Sequence, residues 1–371
     1  MLVGIPKEIK TDEYRVGLVP SAVRELVAHG HKVLIEQGAG TGVGIADAAY
    51  QSVGAEIVAG ADQVFARADM IVKVKEPVGA EPTMLRRGQI LFTYLHLAPA
   101  RALTEALLAS GCTAIAYETV TSANGTLPLL TPMSEVAGRM APQAGARCLE
   151  KEVGGRGMLL GGTPGVAPAD VLILGGGVAG SNAALIALGM GAQVTVVDRS
   201  PGALRRLAAQ FHNRVRTIFS APDTVETLCR RADLVIGTVL IPGATAPKLI
   251  TADTVRAMKP GSAIVDVSID QGGCAETSRP TTHSQPTYVV DGVVHYCVAN
   301  MPGAVSRTST FALTNVTVPF VLALADKGLR SLAEDAHLRA GLNVHDGHIA
   351  HPAVAEALGL AYLPADQVLK N

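Results

Sequence analysis

The segment VLILGGGVAGSNAALIALGMGAQVTVVD, residues 171–198, determines the predicted fold. Its first 27 residues contain no Asp, Glu, Lys or Arg, and on hydropathy alone a stretch of this length imitates a membrane span. The internal order indicates another structure. VLIL (171–174) and QVTVVD (193–198) are short β-rich runs, and the helix-forming SNAALIALGMGA (181–192) lies between them, directly after the glycines. The segment therefore predicts a βαβ unit, whose strands are apolar because both sheet faces are buried.

The glycines of this unit form a nucleotide-binding motif. Gly175, Gly177 and Gly180 match G-x-G-x-x-G directly after a strand and at the start of a helix, and Asp198 follows about twenty residues later. In this context the loop is expected to hold a pyrophosphate at the helix N-terminus. Asp198 is expected to bind the ribose hydroxyls and repel a 2′-phosphate, which favours NAD over NADP, although the adjacent Arg199 weakens that preference. The alternative is a glycine turn that binds no nucleotide.

Composition excludes several classes of protein. Of 371 residues 48% are hydrophobic and 17% are charged, so the chain can bury a large core, which disfavours disorder. The 31 basic and 32 acidic residues give a net charge of -1 and no global field to attract a nucleic acid or an anionic membrane. Five cysteines without a CxxC pair, and an N-terminus without an apolar signal region, favour a reducing, cytoplasmic location.

The α/β alternation continues on both sides of the central segment and predicts two domains. Strands DLVIGTV (233–239) and SAIVDVSID (262–270) extend the nucleotide domain, which we place at residues 129–305. The first 120 residues form a separate α/β series that contains the predicted strands DMIVKVK (69–75) and QILFTYLH (89–96).

Beyond residue 306 the pattern predicts helices only, the longest of them interrupted at Pro319. We expect these helices to pack on the first domain, which makes it discontinuous (1–128 plus 306–371). The predicted fold class is α/β, with two Rossmann-like domains, parallel sheets and a cleft between them.

Polar residues at predicted strand ends are candidates for chemistry, because ligands of open α/β sheets bind beyond the carboxyl ends of the strands. Arg15 follows the first strand, while Lys75, His96 and Asp270 end three others. Arginine can clamp a carboxylate, lysine can polarise a carbonyl, and histidine or aspartate can transfer protons. Each also has a structural interpretation as a solvated cation, a core histidine or a capping aspartate. Together they indicate NAD and a small anionic carbonyl or amino acid, without naming it.

With these residues identified, the chain resembles the NAD-dependent L-alanine dehydrogenases, within the alanine dehydrogenase and pyridine nucleotide transhydrogenase family, over nearly its whole length. The segments that carry the resemblance are long and ordered along the chain. They include GIPKEIK (4–10), YRVGLVP (14–20), VKVKEP (72–77), LFTYLHLA (91–98), LPLLTPMSEVAGR (127–139), LGGGVAG (174–180), VDVSIDQGG (265–273) and VANMPGAV (298–305).

The resemblance implies reversible oxidative deamination of L-alanine to pyruvate and ammonia with NAD, in a homohexamer. It implies that Arg15 and Lys75 hold the substrate, and that His96 and Asp270 are the acid–base pair. The implied NAD contacts are Ser134, which lies outside the glycine motif, and Gly175, Gly177, Val178, Ala179, Gly180, Asp198, Ser220, Val239, Leu240, Val267, Ser268, Ile269, Asp270, Arg279, Val298, Asn300 and Met301.

Two positions depart from the family pattern. Ala203 stands where some members have a lysine at the adenosine end, and Lys327 stands where some have a histidine that shares a magnesium site with Glu118. No metal is therefore predicted. The alternatives to an alanine dehydrogenase are a transhydrogenase-like NAD(H)-binding component, which has no need of the four substrate-pocket residues, and a non-catalytic NAD sensor, which predicts an incomplete catalytic set.

Overall fold

A computed structural model describes residues 1–239 and 246–369. Across these residues the chain divides into two compact units, which are Met1–Met133 with Val305–Asn371 (the first unit) and Ser134–Ala304 (the second unit). The chain thus changes unit after Met133 and after Ala304, whereas the predicted boundaries follow residues 128 and 305.

The strands are short and alternate with helices along most of the chain. They are β1 Leu2–Ile5, β2 Lys32–Glu36, β3 Glu56–Val58, β4 Met70–Val72, β5 Ile90–Thr93, β6 Thr113–Ala116, β7 Asp170–Leu174, β8 Gln193–Asp198, β9 Arg216–Phe219, β10 Leu234–Gly237, β11 Ala263–Asp266, β12 Thr287–Val290, β13 Val293–Tyr296, β14 Leu342–His345 and β15 His348–Ile349.

The α-helices include two long ones, α6 and α11. In order they are α1 Pro20–Ala28, α2 Asp47–Gln51, α3 Ala61–Arg67, α4 Glu81–Met84, α5 Arg101–Ser110, α6 Thr131–Cys148, α7 Val178–Gly189, α8 Pro201–Gln210, α9 Pro222–Arg231, α10 Ala252–Arg256, α11 Ser306–Lys327, α12 Arg330–Glu334, α13 Ala336–Arg339, α14 Pro352–Leu358 and α15 Ala365–Val368. Short 3-10 turns occupy Thr41–Val43, Tyr117–Thr119, Lys151–Val153, Val267–Gln271 and Met301–Val305.

In the part of the chain that the structure describes, each unit contains one mixed, mostly parallel sheet, which confirms the α/β fold class. Among the described residues the first sheet has eight strands in the order β15-β14-β6-β5-β4-β1-β2-β3, and the second has seven in the order β12-β13-β11-β10-β7-β8-β9. In both sheets six parallel strands follow the doubly wound order 3-2-1-4-5-6. Such a sheet has a topological switch point beside its first strand, which is β1 next to β4 in the first unit and β7 next to β10 in the second.

The uncharged central segment forms the predicted βαβ unit, β7-α7-β8. Alternate residues of β7 enter two different hydrophobic clusters, Val171 and Ile173 in one and Leu172 and Leu174 in the other. Both faces of the strand are therefore buried, which is the reason that the segment has the hydropathy of a membrane span.

Antiparallel edge strands, which were not predicted from the sequence, make both mostly parallel sheets mixed. β12 pairs with β13 in the second sheet, while β14 pairs with β6 and β15 in the first, although no strand is predicted beyond residue 306. Both hairpins turn at an Asp-Gly pair in the left-handed region, with φ +49° at Asp291 and +42° at Asp346. Asp-Gly between two β-rich runs is a hairpin signal, and it identifies both turns in this sequence.

Helix α11 differs from its prediction because it continues through Pro319. Proline removes one backbone hydrogen bond, but residues such as Leu313, Val321 and Leu324 are buried on both sides of it and hold the helix together. By length and composition alone, one described helical stretch, Met301–Lys327, is apolar enough to cross a membrane.

Candidate active site

The glycine motif at the switch point of the second sheet has the geometry of a dinucleotide loop. Gly175 has φ +102°, a conformation that side chains disfavour, and a Cβ on Gly180 would lie 1.8 Å from the carbonyl oxygen of Gly175. A Cβ on Gly177 would meet nothing within 4 Å, so the loop is open where a pyrophosphate would approach. The buried Thr238, which follows β10, donates its hydroxyl to the carbonyls of Leu174 and Gly175 and fixes the loop.

Asp198 ends β8, as predicted, and its carboxylate is fixed by backbone donors. Oδ2 accepts from the Gly176 amide and Oδ1 from the Ser200 amide, both at 2.6 Å. Arg206 donates from Nη2 to the Gly176 carbonyl at 3.0 Å. The acid is therefore held beside the glycine loop, where a ribose acceptor belongs in this fold.

Asp270 lies in a loop and not at the end of a strand. The predicted strand ends at Asp270, but β11 ends four residues earlier, at Asp266. Asp270 belongs to the 3-10 turn Val267–Gln271. Asp266 is fully buried and accepts hydrogen bonds from the Ser268 amide, the Cys274 amide and the Ser278 hydroxyl. One buried carboxylate thus fixes both ends of the loop, and the side chain of Asp270 is exposed on it.

The remaining predicted NAD contacts are distributed over the loops and the first turns of two helices in the second unit. Ser134 lies on α6, Val178 and Ala179 begin α7, Val267, Ser268 and Ile269 lie in the turn with Asp270, and Ser220, Val239, Arg279, Val298, Asn300 and Met301 lie outside the strands and α-helices. Leu240 lies outside the described residues.

Two of these contacts are fixed by neighbours in the same unit. The carbonyl of Val239 accepts the Ser268 hydroxyl at 2.8 Å. The guanidinium of Arg279 lies 4.0 Å from the centre of the Tyr288 ring, and its amide donates to the Tyr288 hydroxyl. The open glycine loop and the oriented Asp198 fit a bound dinucleotide.

In the first unit, the two predicted substrate residues and the predicted catalytic histidine follow strands whose carboxyl ends meet at one sheet edge. Arg15 follows β1, Lys75 follows β4 and His96 follows β5. The predicted strands are too long, because β4 ends at Val72 and β5 at Thr93, so Lys75 and His96 each lie three residues into a loop. Arg15 and Lys75 flank the switch point between β1 and β4.

Arg15 is a buried cation held by Glu13. Its Nε lies 2.7 Å from Glu13 Oε1, its Nη2 lies 2.5 Å from Oε2, and its side chain is 2% exposed. Burial by itself would lower the pKa of Arg15, but the paired carboxylate outweighs it and raises the pKa above its usual value. The two bonds orient a permanently charged guanidinium.

His96 occupies a strained backbone position that Glu118 stabilises. It has φ +49°, which is uncommon for a residue other than glycine. Its amide donates to Glu118 Oε1 at 2.6 Å, the Leu95 amide donates to the same carboxylate, and the His96 Nδ1 lies 3.8 Å from it. The imidazole itself is exposed and stacks parallel to Tyr94, with 5.9 Å between the ring centres.

Sequence reasoning missed Tyr94, although it lies two residues before His96. Its hydroxyl donates to the Leu129 carbonyl, and burial raises the pKa of Tyr94 well above its usual range, so the phenol stays neutral. Its position beneath the imidazole, within electrostatic range of Arg15, makes it part of this site. The one signal in the sequence is its place in a predicted strand end.

The two positions that depart from the family pattern have structural partners of their own. Lys327 forms an ion pair with Glu334 at 2.7 Å, and the Glu118 carboxylate accepts the backbone amides of Leu95 and His96. The amide of Ala203 donates to the Ser200 hydroxyl, which caps α8.

Comparison with known proteins gives matches over the whole chain. Models described as the alanine dehydrogenase/PNT N-terminal and C-terminal domains match residues 4–137 and 141–352. An alanine dehydrogenase from Halomonas elongata is 59% identical over 370 residues, which is 100% of both chains, and one from Bacillus subtilis is 55% identical over 100% of this chain and 98% of its own length.

Solved structures give the same result. An L-alanine dehydrogenase superposes with a TM-score of 0.94 at 54% identity, over 97% of this chain and 99% of the other. A transhydrogenase from Sinorhizobium meliloti superposes with a TM-score of 0.81 at 27% identity, over 95% and 100%.

Proposed function

The chain belongs to the alanine dehydrogenase/PNT family, and on that premise we propose that it catalyses the reversible oxidative deamination of L-alanine to pyruvate and ammonia with NAD. The observation that carries the proposal is the identity of 59% to an alanine dehydrogenase over the full length of both chains. The protein is an NAD-dependent amino-acid dehydrogenase. Its geometry supplies a dinucleotide loop in one unit and a cationic strand edge in the other.

The second unit is proposed to hold the cofactor. The glycine loop binds the pyrophosphate, and Asp198 binds the ribose hydroxyls. The loops that contain Val239, Ser268 and Arg279 bind the rest of the cofactor. When bound, NAD supplies the acceptor for the hydride that leaves the substrate Cα.

The first unit is proposed to hold the substrate. Arg15, which Glu13 orients through Nε and Nη2, binds the substrate carboxylate with its positive charge and hydrogen-bond donors. Lys75 holds the carbonyl oxygen of pyruvate and stabilises negative charge that develops on it. Both interactions select a 2-oxo acid or a 2-amino acid.

Two proton transfers remain after the loss of hydride. Water adds to the iminium carbon and loses a proton, and the carbinolamine then expels ammonia as its hydroxyl proton is transferred to the departing nitrogen. His96 and Asp270, both exposed and both on strand-end loops, are proposed to accept and donate these protons.

A substrate assay tests the function. We expect NADH formation at alkaline pH to be fastest with L-alanine among alanine, serine, glycine, valine and glutamate, and pyruvate with ammonia to be reduced in the reverse direction. Glyoxylate with ammonia, which yields glycine, is the matched comparison because it lacks one methyl group. Absence of activity with every pair would contradict the enzyme assignment, and a faster rate with another amino acid would change the substrate.

Cofactor preference depends on Asp198. Replacing it with alanine removes charged hydrogen bonds to the ribose, each worth about 1.5–3 kcal/mol, so we expect the preference for NAD over NADP in kcat/KM to fall by roughly 10–100-fold. Asp223→Ala, an exposed acid on α9 of the same unit, removes the same charge and should leave the preference unchanged. An unchanged ratio in Asp198→Ala would mean that another group sets it.

The transhydrogenase reading has weaker support, because the matching transhydrogenase is 27% identical. It predicts hydride exchange between two nicotinamide cofactors without an amino acid, whereas a sensor predicts binding without turnover. The substrate assay, run with and without alanine, separates all three.

We also propose a homohexamer in the cytoplasm. The family resemblance supports the hexamer, and light scattering that gives a mass other than six chains would contradict it. The location is supported by the five cysteines, all within the described ranges, which are buried free thiols. Burial raises the pKa of Cys148 and Cys229 to about 12, so these thiols are unreactive near neutral pH.

A further inference from the structure

The backbone of Lys75 is held from both sides by buried side chains. Glu8 Oε1 accepts the amides of Val74 at 2.6 Å and Lys75 at 3.2 Å. The Thr93 hydroxyl, at the end of β5, donates to the Lys75 carbonyl at 2.9 Å. Glu8 is 7% exposed and Thr93 is fully buried, so water does not compete for these bonds.

A second layer of charge holds Glu8 in place. Lys73, which is fully buried, has its Nζ 3.2 Å from Glu8 Oε2 and 2.7 Å from Glu81 Oε1. Glu81 Oε2 in turn accepts the Val78 amide at 2.9 Å, beyond the other end of the Lys75 loop. Burial raises the pKa of Glu8, while Lys73 and the two amides act in the opposite direction.

A network of buried ions contributes little net free energy to the stability of a fold. Each buried ion loses several kcal/mol of hydration, and an apolar replacement of similar volume is often as stable. The network, however, places defined hydrogen bonds on the segment of residues 74–78, which an apolar cluster cannot do. These hydrogen bonds act mainly on the backbone at Lys75, the residue that the proposed function assigns to the substrate carbonyl.

We propose that Glu8 and Thr93 are positioning residues that clamp the backbone of Lys75 and so aim its ammonium group at the substrate carbonyl. The proposal rests on the substrate role of Lys75 in the proposed function. Neither residue acts on the substrate itself. A displacement of about 1 Å in a catalytic group can cost on the order of 10²-fold in rate, so losing the clamp should affect catalysis more than folding.

Two variants test the clamp. In Glu8→Gln the single amide oxygen cannot accept both from the backbone amides and from Lys73, and the new NH2 group faces a donor. We expect kcat/KM for pyruvate to fall by about 10–100-fold with an NADH Kd within about twofold of the wild type. Thr93→Val keeps the shape of the side chain and removes one bond, so a loss of about 3–10-fold is expected.

A matched control separates catalysis from stability. Thr317→Val removes another buried hydroxyl of the first unit, which donates to the Thr314 carbonyl at 3.3 Å within α11. Its Tm should fall about as much as that of Thr93→Val, while kcat/KM for pyruvate stays within about twofold of the wild type.

Repeating the substitutions in a Lys75→Ala background identifies the route of the effect. If Glu8 and Thr93 act through the Lys75 side chain, both losses disappear once that side chain is removed. Binding of oxamate, a non-reducible pyruvate analogue, to the enzyme–NADH complex extends this cycle to variants without turnover. NADH fluorescence reports it, and the chain has no tryptophan to interfere.

The outcomes are distinct. Equal losses in the wild-type and Lys75→Ala backgrounds, or normal pyruvate kinetics in both clamp variants, would overturn the clamp and leave the proposed function standing. Normal pyruvate kinetics in Lys75→Ala itself would contradict the substrate role of Lys75. If Glu8→Gln does not fold, Thr93→Val and its control decide the question alone.

Discussion

Replacing His96 with alanine is expected to lower kcat in both directions by a factor on the order of 10²–10⁴, because the proposed reaction loses one of its two proton-transfer groups. The NADH Kd should stay close to that of the wild type, since His96 belongs to the first unit and the proposed NAD contacts to the second. Steady-state kinetics with alanine and with pyruvate, combined with NADH titration, measure both quantities.

Backbone strain must be separated from this effect, because His96 has φ +49°. Asparagine tolerates the left-handed region but cannot transfer protons near neutral pH, so His96→Asn should be as inactive as His96→Ala. His212→Ala is a matched control, because His212 is another exposed histidine with φ +50°. Near-normal turnover in either His96 variant would remove the imidazole from the acid–base role.

The βαβ unit of the second domain could be predicted from the sequence because its signals are local. The hydrophobic periodicity, the spacing of the glycines and the acid at the end of β8 all lie within residues 171–198. The structure adds the causes, which are the positive φ of Gly175 and the 1.8 Å approach at Gly180. The sequence also identified polar residues at strand ends as site candidates, because the carboxyl ends of parallel strands lie at a common sheet edge.

The residues that orient the site could not be predicted, because their partners are distant in the chain or follow no periodic pattern. Glu8 meets the Lys75 loop 66 residues later, and Thr93 meets Lys75 across 18 residues. Glu13 and Arg15 are only two residues apart, but they lie in a loop, where no helix or strand periodicity predicts that their side chains pair. The end of β4 was also predicted too late, because Val74 and Lys75 continue the alternation while their amides bond to Glu8 instead of to a strand.

The edge strands were missed for a different reason. β14 and β15 have four and two residues and follow three helices, so the helical context dominated their interpretation. The Asp-Gly turns at Asp291 and Asp346 were nevertheless visible in the sequence. An Asp-Gly pair between two short β-rich runs is the local signal of each hairpin.

Asp270→Asn is expected to reduce kcat by a factor on the order of 10²–10⁴. Although Asp270 is also an implied NAD contact, NADH binding should stay nearly unchanged, because the amide retains an acceptor oxygen. The amide keeps the size of the side chain but cannot accept a proton, so the step that activates water loses its base. The loop itself should persist, because Asp266 and not Asp270 fixes its two ends. Circular dichroism checks that the overall fold is intact, and the NADH Kd checks the cofactor site.

The decisive comparison for Asp270 is with Asp291→Asn. Asp291 is an exposed aspartate of the same unit at the turn of the β12–β13 hairpin, and Asn-Gly suits that turn as well as Asp-Gly does. Both substitutions remove one negative charge from an exposed loop, so a general electrostatic effect would appear in both. A loss confined to Asp270→Asn identifies proton transfer as its cause, and near-normal turnover would leave His96 to supply both proton transfers.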